Sequence, residues 1–393
     1  MSQPHNRDQV SISSQRRQAG FFSYANSLFV LRLGIQFFFS GGELELIRYC
    51  AWKFFRFPSL THRKERFSHR SWIQRTYPSA FTREPIGAAV MVLLVALAMS
   101  GCSVRKFAIN KLGDSLANSG TTFASDNDPE FVGQAIPFSL KLIEGLLAES
   151  PKHRGLLFAA ASGFTQYSYV YVQHPAEEME SLDVEKSVAM GARARNLYLR
   201  ARYYGLRGLE TRHRGFADAL RENPKTAVSA AKPADVPLLY WTAVAWGAAI
   251  SLSKDHPEIV ADQPQVEALI DRARELNPDY DHGVIDQFLI SYEPARQGVR
   301  GDFAVRSKEH FDRAVRLSDG QLASPFVSYA ETVSVSKQNR AEFESLLNQA
   351  LAVNPDIRPE WRLSNLIMQR RARWLLSRED ELFLEKVAGR ASQ

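Results

Sequence analysis

Residues 273–278 read Ala-Arg-Glu-Leu-Asn-Pro, and related hexapeptides recur at 314–319 (Ala-Val-Arg-Leu-Ser-Asp) and 350–355 (Ala-Leu-Ala-Val-Asn-Pro). The copies are 41 and 36 residues apart, and residues 147–151 (Leu-Ala-Glu-Ser-Pro) form a looser fourth copy. In each copy an amphipathic helical pattern ends at a proline or a polar turn, and another helical pattern follows. The sequence therefore predicts a repeated pair of helices.

A repeat of this length, built from helix pairs, predicts an irregular α-solenoid of the tetratricopeptide type. A single helix hairpin cannot bury its apolar face alone, so neighbouring hairpins stack and leave a concave surface. Strand signals, meaning short β-branched runs that alternate with polar residues, are almost absent after residue 102. The predicted fold class is all-α, and the uneven spacing indicates a divergent array of helix hairpins.

Helical patterns also precede the repeats. We predict helices over residues 136–150, 156–172, 183–207 and 238–253. The first places Leu140, Ile143, Leu146 and Leu147 on one face, and the third carries Val188, Ala192, Leu199 and Tyr203. Residues 227–237 are predicted to be a connector because they are small and include two prolines.

The net charge of the chain is unevenly distributed. The 393 residues carry a formal charge of +6, but residues 1–85 hold 13 Lys and Arg against 5 Asp and Glu. The remaining residues therefore sum to −2. A basic chain invites a nucleic-acid interpretation, but here the excess is confined to the N-terminus. We predict no nucleic-acid partner.

An uncharged apolar run, IGAAVMVLLVALAMSG, occupies residues 86–101. It has the length of a signal-peptide core and is shorter than the roughly 20 residues of a membrane-spanning helix. It ends in Met99-Ser-Gly-Cys102, which resembles the lipobox of bacterial lipoproteins, although Met99 stands where leucine is usual. The resemblance implies a lipid-bearing Cys102 at the start of the mature protein. The alternative is a buried helix with a core cysteine.

Residues 1–85 lack alternation, helical periodicity and plausible turns. They are also far longer than the basic region of a signal peptide. We interpret them as an unstructured extension from a mis-called start, with the true start near Thr82 or Arg83, rather than as a domain. The predicted organisation is this extension over 1–85, a signal segment over 86–101 and one helical domain over 102–393.

Five segments of the helical part together resemble the TatT family, the lipoprotein T components associated with TRAP transporters. They are GQAIPFSLKLIEGLLAESPKHRGLLFAAASGFTQYSYVYV (133–172), LYWTAVAWGAA (239–249), VEALIDRARELNPDY (266–280), ASPFVSYA (323–330) and NLIMQRRARWLL (365–376). Each segment is weak alone, but they occur in the family's order, cover most of residues 102–384, and follow a lipobox.

The resemblance implies a lipid-anchored protein of the cell envelope that faces the periplasm and has a tetratricopeptide-like fold. It also implies a TRAP-type periplasmic solute-binding protein as partner. It further implies a homotrimer in which a cleft or pore through each subunit faces the partner's ligand site. No cofactor follows from it. By analogy with enteric sorting rules, Ser103 after the cysteine favours the outer membrane slightly.

Aromatic residues are concentrated on two predicted helices, at Tyr167, Tyr169 and Tyr171 among others. They indicate either a lining for an apolar ligand or partner, or packing between helices. Because these three tyrosines cannot share one face of a regular helix, some are expected to meet solvent, a partner or a cleft. The candidate cleft or partner-binding residues are Phe164, Tyr167, Tyr171, Tyr240, Trp241, Trp246, Phe326, Tyr329, Arg370 and Arg371.

A basic cluster, Arg370, Arg371 and Arg373, lies beside Trp374. Two interpretations are open for it. One is contact with an acidic partner or with lipid headgroups. The other is a solvated helix face whose arginines pair with carboxylates at i, i+4.

No nucleotide-binding loop, HExxH motif or nucleophile elbow is present in the sequence. Asp279-Tyr-Asp-His282 resembles a metal site, but we expect its acidic residues to cap the next helix. The predicted function is therefore binding without catalysis. What the resemblance to the TatT family implies is capture of a TRAP solute-binding protein and assistance in ligand uptake. The alternatives are a general scaffold for envelope assembly and a helical enzyme that acts on the cell wall.

Overall fold

The computed structural model describes Met91, residues 109–115 and residues 120–384. Cys102, the extension over 1–85 and, apart from Met91, the signal segment over 86–101 lie outside the described residues. All regular secondary structure in the described part is helical. The predicted all-α fold is confirmed.

The helices are α1 (Gly120–Ala124), α2 (Pro129–Glu149), α3 (Arg154–Ser168), α4 (His174–Met179), α5 (Val184–Glu210), α6 (Phe216–Glu222), α7 (Pro224–Ser229), α8 (Val236–Ser251), α9 (Pro257–Val260), α10 (Gln263–Leu276), α11 (Val284–Tyr292), α12 (Phe303–Leu317), α13 (Ser324–Tyr329), α14 (Arg340–Ala352), α15 (Arg362–Ser377) and α16 (Glu379–Leu382). Residues 109–115 are also helical. Two π-helical turns, Tyr169–Gln173 and Ala330–Ser334, follow α3 and α13. Turns of 3₁₀-helix lie at Pro233–Asp235, Tyr280–Gly283, Glu293–Ala295 and Pro359–Trp361.

Successive helices pack side by side as a solenoid. Helix α3 lies between α2 and α5, α8 packs on α5 and α10, and α11 pairs with α12, as α14 does with α15. The apolar core follows this order along the array. It passes from a cluster around Leu156 to one around Leu269 and then to one around Phe343.

The recurring hexapeptides mark the same place in each repeat. Their first residues, Ala273, Ala314 and Ala350, have no exposed surface. They lie in the last turn of α10, α12 and α14. A small residue there lets the following helix approach closely, so the repeat is a packing signature.

Helix α2 begins seven residues before the predicted start at residue 136. Asp128 caps it by accepting a hydrogen bond from the Phe131 amide at 2.9 Å, and Pro129 occupies the first turn. An acidic N-cap followed by proline in the first turn favours a helix that begins at this point. The helix therefore continues past Pro137, although an internal proline disfavours a helix. By length and composition α2 is also apolar enough to cross a membrane, but one face is packed in the core.

Helix α5 buries a different face from the one its larger apolar residues indicate. Val188 and Tyr203 are exposed. The buried residues are Ala194, Tyr198, Ala201, Tyr204, Gly205, Gly208 and Leu209. Small side chains on this face let α3 and α8 approach the helix closely.

The predicted connector over 227–237 contains the end of α7 and a 3₁₀ turn. The turn holds Asp235, which is 1% exposed and accepts hydrogen bonds from Arg154 Nη2 at 2.8 Å and the Lys232 amide at 3.0 Å. The oxygen that accepts from the Lys232 amide, Oδ2, also lies 2.8 Å from His213 Nε2. One buried carboxylate thus joins α3, the turn after α5 and the start of α8.

Candidate functional site

The last long helix of the array packs against its first helices. Arg362 Nη1 on α15 donates to the Ser125 carbonyl at 2.8 Å. Arg370 Nη1 lies 3.3 Å from Glu130 Oε1 on α2, and its Nη2 lies 3.4 Å from Glu178 Oε2 on α4. These contacts join residues far apart in sequence, so the two ends of the solenoid meet along α15.

Arg371 lies at the centre of this junction and is 5% exposed. Its Nη2 atom is 2.6 Å from Glu177 Oε2 on α4 and also contacts Glu331 Oε1. The guanidinium carbon is 4.2 Å from the Trp374 ring centroid. The remaining nitrogens, Nε and Nη1, are buried and have no hydrogen-bond partner among the described residues. One cation therefore ties the first third of the array to the last.

The carboxylates that meet Arg371 are positioned by the two π-helical turns. Glu331 lies within the second turn, and Glu177 lies on α4, directly after the first. A π-helical turn adds one residue to a helical turn, and such turns are frequent at functional sites. The added residue rotates the following segment relative to the preceding helix, which brings both carboxylates to the same arginine.

Burial dominates the electrostatics of this site. Burial and the charges of Arg371 and Arg370 lower the pKa of His174 to about 3, so the imidazole is neutral at physiological pH. Burial also raises the pKa of Glu177, although Arg371 opposes the shift. The pKa of Arg371 is raised, because Glu331 and Glu177 outweigh the effect of its own burial. The arginine is charged at any pH the protein meets.

A cavity of about 290 Å³ lies beside Arg371. Three carboxylates, two arginines and several apolar side chains line it: Glu177, Glu180, Glu331, Arg371, Arg378, Val335, Trp374, Leu375 and Leu382. A second cavity, of about 460 Å³, lies along the first turns of α5 and the end of α8. Both cavities include Glu177 and Glu180 in their linings, so α4 borders the two.

Residues 177–188, which we call the acidic rim, border these cavities. The stretch 177–185 reads Glu-Glu-Met-Glu-Ser-Leu-Asp-Val-Glu and contains five carboxylates. Three apolar side chains of the rim are largely exposed, Leu182 at 80%, Val184 at 64% and Val188 at 66%. Exposed apolar groups surrounded by charge are typical of protein interaction surfaces.

The aromatic candidates from the N-terminal half lie mostly between helices. Phe164 stacks on Tyr204 at 5.9 Å, and the Tyr171 hydroxyl donates to the Pro129 carbonyl at 2.7 Å. Tyr167 is half-buried beside Tyr171, with ring centroids 5.8 Å apart. Both rings are partly buried, and the Tyr167 hydroxyl lies 3.4 Å from Nη2 of the exposed Arg193.

The central and C-terminal aromatic candidates show the same pattern. Tyr240 and Trp241 form an edge-to-face pair at 5.1 Å in the central core. Trp246 Nε1 donates to Asp262 Oδ2 at 3.2 Å. Phe326 and Tyr329 both pack on Phe311. The structure brings Arg370 and Arg371 together at the junction but leaves the aromatic residues in separate helix interfaces, and their predicted binding role stays a prediction.

The solvated-face interpretation of the arginine cluster is wrong for Arg371, which is buried. Arg370 is 60% exposed, as that interpretation expects, but its carboxylate partners lie on α2 and α4 and not at i, i+4. Sequence reasoning also missed His174, Glu177 and Glu331. Arg371 is paired across the fold, 194 residues from Glu177 and 40 from Glu331, so no local spacing connects them. The only local signal was the cluster of three tyrosines, whose mismatch with a regular helix marked the π-helical turn.

The side chains of residues 279–282, whose sequence resembles a metal site, make packing contacts and ion pairs with neighbouring helices. Asp279 pairs with Arg313, and His282 packs edge-on against Trp361 with centroids 5.0 Å apart. The capping prediction is wrong, since Gly283 occupies the N-cap position of α11 and has no side chain to cap it. Over residues 109–115 and 120–384, no group of three or more His, Cys, Asp or Glu is arranged to hold a metal ion.

Another buried charge cluster joins α11 to α12. His310 Nδ1 lies 2.7 Å from Asp286 Oδ1, and Arg313 Nε donates to Asp286 Oδ2 at 3.0 Å. Burial disfavours a charged His310, but hydrogen bonds to Asp286 and Glu293 raise its pKa overall. The two carboxylates of this cluster, Asp286 and Glu293, are paired with neighbouring arginine and histidine side chains. The cluster therefore stabilises the hairpin of α11 and α12.

Comparison with known proteins adds two findings. A family model described as TRAP transporter T-component matches residues 125–383, which include both ends of the junction. An uncharacterized protein of Treponema pallidum (strain Nichols) is 27% identical over 307 residues. That match covers 74% of this chain and 95% of the relative.

Proposed function

Because the chain belongs to the TRAP transporter T-component family, we propose that it binds a TRAP-type solute-binding protein and assists ligand uptake without catalysing a reaction. The observation that carries the proposal is the extent of the family match, which spans the helical array from residue 125 to residue 383. An accessory component of a transporter acts through contacts with the other components. The relevant features are therefore exposed surfaces and cavities.

The acidic rim is the docking surface we assign to the solute-binding protein. Leu182, Val184 and Val188 offer apolar contact area, and Glu180 and Glu185 have no ion-pair partner among the described residues. Apolar groups at the centre of an interface supply most of its affinity, whereas surrounding charges select the partner and speed association. The complementary surface on the partner would carry apolar residues flanked by lysine or arginine.

The proposed location is the cell envelope, with a lipid on Cys102 and the helical domain facing the periplasm. The outer membrane is favoured slightly by Ser103. The supporting observation is the lipobox-like Met99-Ser-Gly-Cys102 behind the apolar segment at residues 86–101. In this arrangement the mature protein begins at residue 102, and the signal segment and the extension over 1–85 are absent from it.

The proposed homotrimer needs an apolar contact surface, and α2 offers one. Phe131 is 62% exposed, Phe138 is 73% exposed and Leu142 is 38% exposed. Their spacing of seven and four residues places them on one side of the helix, opposite the face packed on α3. A stripe of this kind on a soluble protein is typical of an association surface.

The test of the proposed function is affinity purification of the lipidated protein from its own membranes in mild detergent, followed by mass spectrometry. We expect a TRAP-type solute-binding protein to be the main co-purifying protein. Recovery of envelope-assembly factors in its place would contradict the proposal and favour the scaffold. A preparation from cells that lack the T component controls for non-specific binding.

A further inference from the structure

The second cavity, of about 460 Å³, is open because the helix face beside it carries small side chains. Ser187, Gly191 and Ala192 of α5 are part of its lining. A Cβ atom added to Gly191 would have no heavy atom of the surrounding structure within 4 Å, so the empty space begins at the helix backbone. The volume lies within the roughly 300–1,000 Å³ range of small-molecule sites, and it therefore admits one long side chain from outside.

The charged groups of this lining have an excess of carboxylates. Glu177, Glu180 and Asp255 line the cavity together with a single cation, Arg195. Arg195 Nη1 lies 3.6 Å from Asp255 Oδ1, and Glu177 is paired with Arg371. Glu180 has no ion-pair partner in the described part of the chain. The cavity therefore attracts a cation and repels an anion.

Much of the remaining lining is apolar. Ala176, Ala192 and Leu252 contribute aliphatic surface, and Val188, also in the lining, is 66% exposed. Lysine and arginine combine an aliphatic stem, which packs along apolar surface, with a charged head that stays near water. A cavity with aliphatic walls and an unpaired carboxylate is complementary to a side chain of this kind.

The electrostatic attraction is too weak to hold a free cation. Glu180 and Asp255 are exposed, and an ion pair at an exposed carboxylate raises affinity by only about two- to fivefold. A side chain carried by a docked protein is held more easily, because the other contacts of the interface have already immobilised the protein. The cavity shares Glu177, Glu180, Ser187 and Val188 with the acidic rim, which is the proposed docking surface. The cavity and the rim therefore suit the same partner.

We infer that the second cavity receives one basic side chain, a lysine or an arginine, of the solute-binding protein. The inference rests on the proposed function, and it adds the position and the charge of one contact residue of the partner. The aliphatic stem of this residue lies along Gly191 and Ala192, and its cationic head pairs with Glu180. Binding of the partner therefore depends on the open space beside α5 as well as on the exposed side chains of the rim.

The test is titration of the co-purifying solute-binding protein onto the immobilised full-length protein and its variants. Gly191→Leu fills the cavity from the α5 side and should weaken binding by at least about tenfold, because the basic side chain is excluded. Ala341→Leu, on the exposed side of α14 and outside both cavity linings, is the matched control and should bind as wild type does. Urea unfolding should show that Gly191→Leu is at least as stable as wild type, since leucine is the better helix former and its Cβ meets no neighbouring atom.

The carboxylate is tested by a second pair of variants. Glu180→Gln should weaken binding by about two- to fivefold, whereas Glu309→Gln, which changes an exposed glutamate of α12 outside the cavity lining, should leave it unchanged. In the Gly191→Leu background Glu180→Gln should have no further effect, because the side chain that pairs with Glu180 is already excluded. Unchanged affinity of Gly191→Leu, or additive losses in the double variant, would overturn the inference and leave the proposed function in place. Absence of binding by wild type would overturn both.

Discussion

Arg370 and Arg371 are adjacent in sequence but occupy opposite environments. Arg370 is 60% exposed with two surface carboxylate partners, whereas Arg371 is 5% exposed. An exposed ion pair is screened by water and contributes about 0–1 kcal/mol. Removing one partner of a buried pair leaves the other charges uncompensated, which costs much more. The two residues therefore form a natural pair of test and control.

Arg371→Met should lower the free energy of unfolding by about 1–3 kcal/mol. The value lies below the range of about 3–5 kcal/mol for fully buried pairs, because Glu177 and Glu331 are each about one third exposed. Methionine retains the packing on Trp374. Arg370→Met should cost under about 1 kcal/mol. Urea unfolding of both variants measures the difference, and equal losses would mean that the junction does not depend on Arg371.

His174 should make the protein less stable as the pH falls. Its pKa is about 3 in the folded state and 6.5 in the unfolded chain, so acid protonates the unfolded state first. The contribution of neutral His174 to the free energy of unfolding is complete above pH 6.5. As the pH drops below 6.5, the free energy of unfolding decreases, with a slope that approaches about 1.4 kcal/mol per pH unit. Glu177, whose pKa is raised, acts in the opposite direction and is present in both proteins compared.

The measurement is urea unfolding of wild type and His174→Gln at about pH 7 and about pH 5, above the range in which most carboxylates titrate. Wild type should lose about 1–2 kcal/mol more than the variant over this interval. A variant that shows the same pH dependence as wild type would contradict the assignment to His174.

At the scale of elements, the crossing of α5 and α8 depends on Gly205. A Cβ atom added there would lie 2.2 Å from Thr242 Oγ1 and 3.1 Å from Thr242 Cβ. Thr242 is fully buried and its hydroxyl donates to the Leu238 carbonyl at 2.5 Å, so it cannot move aside freely. The two helices would have to separate to admit a larger residue.

Gly205→Ala should therefore destabilise the protein by about 1–3 kcal/mol, the usual cost of overpacking. Gly145→Ala on α2 is the control, since nothing lies within 4 Å of its added Cβ. Alanine is the better helix former, so this variant should be unchanged or stabilised by up to about 1 kcal/mol. Thermal unfolding of both variants checks the contrast. A Gly205 variant as stable as the Gly145 variant would mean that the crossing tolerates a wider spacing.

The elements differ in how far the sequence predicts them. The hexapeptide repeat indicates α10, α12 and α14 correctly because each buried alanine occupies the same last helical turn. The buried face of α5 is not predictable in this way, because it consists of Ala, Gly and Tyr and carries little hydrophobic signal. The register change in the π-helical turn at residues 169–173 also hides Glu177 from periodicity.

At the scale of the whole molecule, the ends of the array meet through contacts between residues up to 240 positions apart. A helical repeat predicts contacts between neighbours only, so this closure cannot be read from the sequence. This meeting of the two ends brings the acidic rim, both cavities and Arg371 into one region. The candidate site is thus a product of tertiary structure, whereas the fold class follows from local patterns.

The proposed lipid anchor belongs to the scale of the whole molecule, and it depends on one atom, the sulfur of Cys102. The substitution Cys102→Ser removes the only thiol in the lipobox-like segment, and only a thiol can form the thioether to the lipid, so the protein should no longer be lipidated. We expect it to move from the detergent-extracted membrane fraction to the soluble or precursor fraction. Mass analysis of the wild-type N-terminus should show a diacylglyceryl-modified Cys102. An intact Met1 would contradict the anchor and the short start together.

The central claim, binding of a solute-binding protein through the acidic rim, is tested most directly by titrating the purified partner onto the immobilised protein. Wild type should bind saturably, and Leu182→Lys/Val188→Lys, which changes two largely exposed residues, should weaken binding by at least about tenfold. Val305→Lys on α12, also largely exposed, is the matched control and should bind as wild type does. Absence of binding by wild type, or equal affinity in the rim and control variants, would contradict the account.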